Sequence, residues 1–327
     1  MSFRSGDEEV KSLLMTNPIP PWPGELVPVG VGEVFVRSTP ALEGAEPAMF
    51  VHGLGGSATN WTDLMDQLRL PPEDSPYGPA LACEALDLPG FGYSPLPADG
   101  DYSVDARAAS VCDLIEQRGN WPVHLIGNSL GGAICVRVAA RRPDLVRSLT
   151  LISPALPDLR PRTVPMRLSL LCVPGLGSWL LSRAHRISPE DRISLVIKDI
   201  YADSSLAPEK RRAIEIKEIL RRDALGYADA VLLATARGLV AEYVRRGPRT
   251  LWRDAARVTA PTLVIYGSHD RLVRPAMAAI AARSFGNARV VVLPKTGHVA
   301  MMERPDLVAK EMRGMLGATR RPAPARG

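Results

Sequence analysis

Residues 127 to 131 read GNSLG, a serine between glycines that follows the apolar run VHLI and precedes GGAICVRVAARR. A serine on a strand-to-helix turn stands clear of the backbone, and small neighbours let the two elements approach closely. Ser129 is therefore the candidate nucleophile. Its hydroxyl is a poor nucleophile at neutral pH, so an imidazole must take its proton and a carboxylate must orient that imidazole. Five histidines are available. His52 ends an early apolar run, His124 lies inside another, His185 sits in a helical stretch and His269 directly precedes an aspartate. His298, in the loop KTGH after the last apolar run, is free to swing over a sheet edge and is expected to be the general base. Asp270 in YGSHD follows the penultimate strand candidate and gives the chain order Ser, Asp, His that suits such a sheet. Asp158 and Asp254 compete for the acid role but follow no strong strand pattern, and Asp87 in DLPGFGYS reads as a loop organiser because it precedes Ser129.

A tetrahedral intermediate on Ser129 needs two donors for its oxyanion. The amide of Leu130 opens the helix after the serine, and HGLGGS at 52 to 57 supplies a glycine-rich loop whose Leu54 amide is the second candidate. The same string lacks the Lys-Ser/Thr ending of a phosphate loop.

The elements that must position these residues are legible as an alternation of short apolar runs and helical segments, the rhythm of a mostly parallel sheet. Strands are expected at 33–39, 48–52, 81–87, 123–127, 149–153, 262–267 and 290–293, each with chemical residues just past its end, where open α/β sheets bind ligands. Between about Leu156 and Arg253 the strands vanish, and Ser188-Pro189-Glu190 reads as a capped helix start. The organisation expected is an N-terminal extension at 1–24, a first core part at 25–155, a helical cap at 156–254, a second core part at 255–317 and a Pro/Arg-rich disordered tail at 318–327.

Composition limits the function classes. With 327 residues, 46% hydrophobic and 23% charged, the chain can bury a large core. Forty basic against 35 acidic residues give +5 without a dense basic block, which argues against nucleic acid as a partner. Cys83, Cys112, Cys135 and Cys172 show neither zinc-ligand spacing nor the density of a disulfide scaffold. The N-terminal MSFRSGDEEVKS has no apolar core of a signal peptide, so a cytoplasmic location is the default. The most apolar stretch, Met166 to Leu181, is broken by Pro174, Gly175 and Gly177, and no transmembrane helix is expected.

HGLGGSATNW at 52 to 61, DLPGFGYS at 87 to 94, GNSLGG at 127 to 132, GSHD at 267 to 270 and GHVAMMERP at 297 to 305 together resemble the α/β-hydrolase superfamily, over nearly all the core and in the family's order. The resemblance implies an α/β-hydrolase fold: a mostly parallel eight-stranded sheet flanked by helices, with a helical cap inserted after the sixth strand. It also implies Ser129 as nucleophile, His298 as base, Asp270 as its partner and the Leu54 and Leu130 amides as the oxyanion hole. Epoxide hydrolases and haloalkane dehalogenases of this fold carry aspartate at the elbow, so Ser129 argues against both.

A fold hosts many chemistries, so the reaction is argued from the site. The leading expectation is an esterase or lipase-like hydrolase, free of metal and organic cofactor, acting on a small ester with an apolar acyl or alcohol part. Gly53, Asn128, Trp179 and Val299 are the candidate substrate contacts. Leu168, Leu170, Leu171, Leu176, Trp179 and Leu180 either line an acyl pocket or simply form the core of the cap. Asn128 in GNSLGG also resembles the elbow of the meta-cleavage-product hydrolases, which cut carbon–carbon bonds; those enzymes usually have tryptophan after the histidine, where this chain has Val299. Thioesterase, lactonase and amidase chemistry would use the same machinery. A ligand-binding relative without catalysis, and a lipase that meets a lipid surface through its arginines and the Met166 to Leu181 segment, are further alternatives. The Arg-rich stretches 210–222 and 245–253 read as solvated faces. Oligomeric state is not encoded in any of these features.

Overall fold

Runs such as VHLIGN and TLVIYG are apolar at nearly every position, which suits strands covered on both faces. The computed structural model describes residues 19–71, 78–158, 160 and 169–320. In chain order the elements are β1 (Gly24–Val29), β2 (Gly32–Ser38), β3 (Glu46–Val51), α1 (Thr62–Arg69), β4 (Leu81–Leu86), α2 (Val104–Arg118), β5 (Val123–Asn128), α3 (Leu130–Arg141) and β6 (Val146–Ile152). There follow α4 (Leu176–Ala184), α5 (Pro189–Ile200), α6 (Glu209–Asp223), α7 (Ala228–Val244) and α8 (Leu251–Ala255). The sheet then resumes with β7 (Thr262–Gly267), α9 (Met277–Ser284), β8 (Ala288–Leu293), α10 (Ala300–Glu303) and α11 (Pro305–Arg320).

The eight strands form one sheet in the order β1-β2-β4-β3-β5-β6-β7-β8. β2 runs antiparallel to β1 and β4, and every later pairing is parallel. Alternate residues of each buried strand feed two cores. Met49, Val51, Leu125, Leu151 and Val264 meet α2, α3 and α9 on one face; Ala48, Phe50, Ile126, Ile152 and Ile265 meet α1 and α11 on the other. The second core also takes in Ile193 and Ile197 of α5 and Ile219 of α6, so the helical insert packs against it.

Register aligns the carboxyl ends. Val51 pairs with Gly127, Asn128 with Ile152, Ile152 with Ile265 and Gly267 with Leu293. The residues immediately after these ends therefore emerge along one edge.

Three expectations change. β1 lies outside the strands expected above; it contains Pro28, which is tolerated here since β1 is at the sheet edge. α11 runs through Ala318, Thr319 and Arg320, which composition assigned to a disordered tail, while 321–327 lie outside the described residues. The cap boundary expected at 254 falls inside α8, whose Leu251 and Ala255 are fully buried in the core against α3. The predicted start of α5 is observed: Ser188 Oγ accepts from the Asp191 N–H at 3.1 Å, with Pro189 in the first turn.

Candidate active site

The sharp turn at the end of β5 is built from glycines and backbone. Ser129 sits at φ 53°, ψ −116°, a conformation that costs a non-glycine residue roughly 1 to 3 kcal/mol. Its N–H donates to Ile152 O at 3.1 Å, and its carbonyl accepts from Ala133 N at 3.1 Å and Ala155 N at 2.9 Å. A Cβ on Gly131 would lie 2.1 Å from Val51 O, and one on Gly127 would lie 2.5 Å from Gly131 O. These contacts explain the spacing GNSLGG: helix α3 leaves the strand at a distance only glycine allows. Leu130, the first residue of α3 and 1% exposed, contributes one of the first-turn amides that have no carbonyl partner within the helix.

Gly53 faces the turn, since a Cβ there would lie 3.2 Å from Ser129 Cβ. Its loop carries Leu54, whose side chain packs on the core. The loop is bolted down by His52, which is fully buried: Leu88 N–H donates to Nε2 at 2.9 Å, so Nδ1 carries the proton and donates to Gly53 O at 2.7 Å. Burial lowers the His52 pKa to about 4, which keeps the ring neutral in that tautomer. Asp87 organises the same region as expected, accepting from Ala58 N at 2.6 Å and Tyr93 N at 2.8 Å; burial raises its pKa to about 6.

Across the edge, His298 Nδ1 and Asp270 Oδ2 are 2.9 Å apart, both side chains buried. Asp270 Oδ1 accepts from the N–H groups of Leu272 at 2.8 Å and Val273 at 2.9 Å. Burial alone would raise the Asp270 pKa, but His298, the Val273 amide and the Ser153 hydroxyl outweigh it and hold the carboxyl below its ordinary value. The aspartates that competed for this position are engaged elsewhere: Asp158 with Arg274 at 2.6 Å, and Asp254 with Arg137 at 2.6 Å. The other histidines are likewise occupied, His124 between Ser148 Oγ and Glu46 Oε2, His185 on Asp229 and His269 on Ser268.

Asn128 joins the two halves. Expected among the substrate contacts, it is 3% exposed and donates both amide hydrogens to backbone, to Ile152 O at 3.0 Å and His298 O at 3.2 Å. It therefore braces the turn against the histidine loop. Val299 is buried beside His298, at the start of α10. Trp179 is 52% exposed on α4, with the Arg183 guanidinium 5.1 Å from its ring, and is not packed into the core. Leu170 is 48% exposed, and Leu168 lies outside the described residues.

The insert reaches the site through residues that local sequence patterns did not single out. Arg222 of α6 donates to Gly55 O at 3.3 Å, and Asn60 Nδ2 donates to Glu215 Oε1 at 3.4 Å. Burial raises the Glu215 pKa to about 7. Ser153, at φ 45° after β6, and Glu303, fully buried on α10, were also missed. Only Glu303 had a signal, being the acid of GHVAMMERP. Among the described residues no cluster of His, Cys, Asp and Glu is arranged to hold a metal ion, and no single helix is long and apolar enough to cross a membrane.

This fold and this edge define an α/β hydrolase, and the chain belongs to that family: the alpha/beta hydrolase family model matches residues 48–311. The chain is 26% identical over 318 residues to Lipase 1 of Psychrobacter immobilis, covering 96% of this chain and 87% of that one. It is 28% identical over 279 residues to a 2-hydroxy-6-oxononadienedioate/2-hydroxy-6-oxononatrienedioate hydrolase of Paraburkholderia xenovorans, covering 85% and 89%. Among solved structures, a meta-cleavage product hydrolase from Pseudomonas fluorescens shares the fold with a TM-score of 0.71 at 15% identity, covering 90% and 98%.

Proposed function

We propose that this protein is a serine ester hydrolase that works through an acyl-enzyme on Ser129. The observation that carries the reading is the His298–Asp270 hydrogen bond of 2.9 Å, held by Asn128 against a serine on a positive-φ turn. Ser129 Oγ attacks the ester carbonyl carbon while His298 Nε2 takes its proton. The Leu54 and Leu130 amides receive the oxyanion. The carbon–oxygen bond to the alcohol breaks, and His298 returns the proton to that oxygen. A water, deprotonated by His298, then attacks the acyl carbon; the acid departs and Ser129 regains its proton. Asp270 keeps Nδ1 protonated throughout and stabilises the imidazolium. No metal or organic cofactor enters these steps. The insert between β6 and β7 serves as the cap over a small ester with an apolar acyl or alcohol part, in an enzyme of the cytoplasm.

Hydrolysis of p-nitrophenyl esters of increasing acyl length, in wild type and Ser129→Ala, tests the reading. The variant should lose about 10⁴-fold or more in kcat while remaining folded. Equal turnover in both would overturn it. Carbon–carbon bond hydrolysis is the second reading, favoured by the 28% identity to the Paraburkholderia enzyme. Against it, Asn128 is tied to backbone and Val299 follows the histidine. Turnover of a 2-hydroxy-6-oxo-dienoate at a kcat/KM above that of every ester would establish it instead.

A further inference from the structure

The loops that carry His298 and Asp270 are both stitched to one stretch of the insert, residues 198–203 at the end of α5. Glu303, fully buried, accepts from Gly297 N at 2.7 Å on Oε2, from Ala202 N at 3.1 Å on Oε1 and 3.2 Å on Oε2, and from Asp203 N at 3.2 Å on Oε1. One carboxylate thus joins the residue before His298 to two residues of the insert. The contact is close: a Cβ on Gly297 would lie 2.5 Å from Ala202 N and from Ile200 O. His298 N itself donates to Ile200 O at 2.7 Å. From the acid side, Arg271, next to Asp270, donates to Tyr201 O at 2.9 Å and to Lys198 O.

None of these groups takes part in the bond changes proposed above; each holds the backbone that carries His298 or Asp270. An unmoored histidine loop would keep its sequence and lose its aim, because a displacement of about 1 Å at a reacting group costs roughly 100-fold in rate. A carboxylate suits the task. It offers several lone pairs to converging N–H groups, and it has no hydrogen to clash with them.

We propose that Glu303 is a positioning residue for His298, clamping the histidine loop to residues 200–203 of the insert so that the imidazole stays on Asp270 and toward Ser129. The inference rests on the reading of His298 as general base. It has a consequence for the insert: a movement of the α5 end away from the sheet edge pulls on both loops, so the base is fully aligned only while this corner is seated.

The test uses the full chain as Glu303→Ala, Glu303→Gln and Arg271→Ala. Three readouts apply: kcat and KM on a p-nitrophenyl ester, circular dichroism, and the downfield proton resonance of the His298–Asp270 hydrogen bond, assigned by its loss in His298→Ala. Glu303→Ala should remain folded, lose about 10- to 100-fold in kcat with KM changed less than about threefold, and broaden or lose the resonance. Glu303→Gln, which keeps the shape and one acceptor oxygen, should fall between Ala and wild type. Arg271→Ala should shift the same resonance with a smaller loss of kcat. If Glu303→Ala does not fold, Glu303→Gln carries the test, an unchanged resonance and kcat in it overturning the proposal. A folded Glu303→Ala with unchanged resonance and kcat overturns the proposal. Because the resonance reports alignment without turnover, absence of ester hydrolysis in wild type would defeat the esterase reading and leave the clamp to be judged by the spectrum.

Discussion

The turn that presents Ser129 and the loop that presents His298 solve the same problem by different means. The turn is held within the core: its backbone bonds Ile152, Ala133 and Ala155, its close approaches are made at Gly127, Gly131 and Gly132, and the Asn128 side chain braces it to Ile152 O and His298 O. The histidine loop is held by the buried carboxylate of Glu303 and by the end of α5 in the insert, and Arg271 ties the neighbouring Asp270 loop to the same stretch. Backbone packing makes the first element rigid and intolerant of added atoms. The histidine loop is packed as closely, since a Cβ on Gly297 would lie 2.5 Å from Ala202 N and from Ile200 O. These partners, however, belong to the inserted segment, so Ser129 is built into the sheet while the loop of His298 is also anchored to the insert.

The sharpest break on the histidine side is Asp270→Asn. An amide in place of the carboxylate favours the wrong imidazole tautomer and removes the charge that stabilises the imidazolium, so kcat should fall by about 10³-fold or more with the fold retained. Steady-state kinetics beside a thermal melt would check it; a loss below tenfold would remove Asp270 from the proposed role.

On the turn side, Gly131→Ala should act through packing. Its methyl would meet Val51 O at 2.1 Å, and backbone cannot step aside as a side-chain tip can, so destabilisation of about 2 to 3 kcal/mol is expected. Urea denaturation reads this directly. An unchanged midpoint would mean that the turn is looser than its contacts indicate.

A pH-dependent effect of comparable size at its limit, and absent at neutral pH, belongs to the loop after β3. His52 is neutral and hydrogen-bonded at both nitrogens, with a folded pKa of about 4 against an ordinary 6.5. Between these values the unfolded chain binds more protons than the folded one, so stability is full above pH 6.5 and declines as pH falls toward 4. The loss through this residue reaches at most about 3 kcal/mol. Comparing the pH dependence of unfolding in wild type and His52→Gln isolates it; equal slopes would show that the ring is not held neutral.

Much of the sheet was legible because its parallel strands are apolar on both faces and end in residues that stand out chemically. Ser129, Asp270 and His298 each follow such an end, and register alone brings those ends to one edge. Apart from Glu303, what escaped had no local signature. β1 contains Pro28, tolerable only because the strand turned out to be an edge. Ser153 looks like any residue closing a strand, and its place beside Asp270 depends on the pairing of β6 with β7. Asn128 was assigned to substrate from its neighbours in sequence, whereas its partners, Ile152 O and His298 O, lie 24 and 170 residues away. Trp179 drew attention as a large apolar residue in an apolar run, but on α4 it is half exposed with the Arg183 guanidinium over its ring.

The most direct test of the central claim is to trap the acyl group. Wild-type protein mixed with p-nitrophenyl acetate and quenched in acid within the first turnover should gain one acetyl group, mapped by mass spectrometry to the peptide bearing Ser129 and absent from Ser129→Ala. An acetyl group that maps elsewhere, or that persists in Ser129→Ala, would contradict the account.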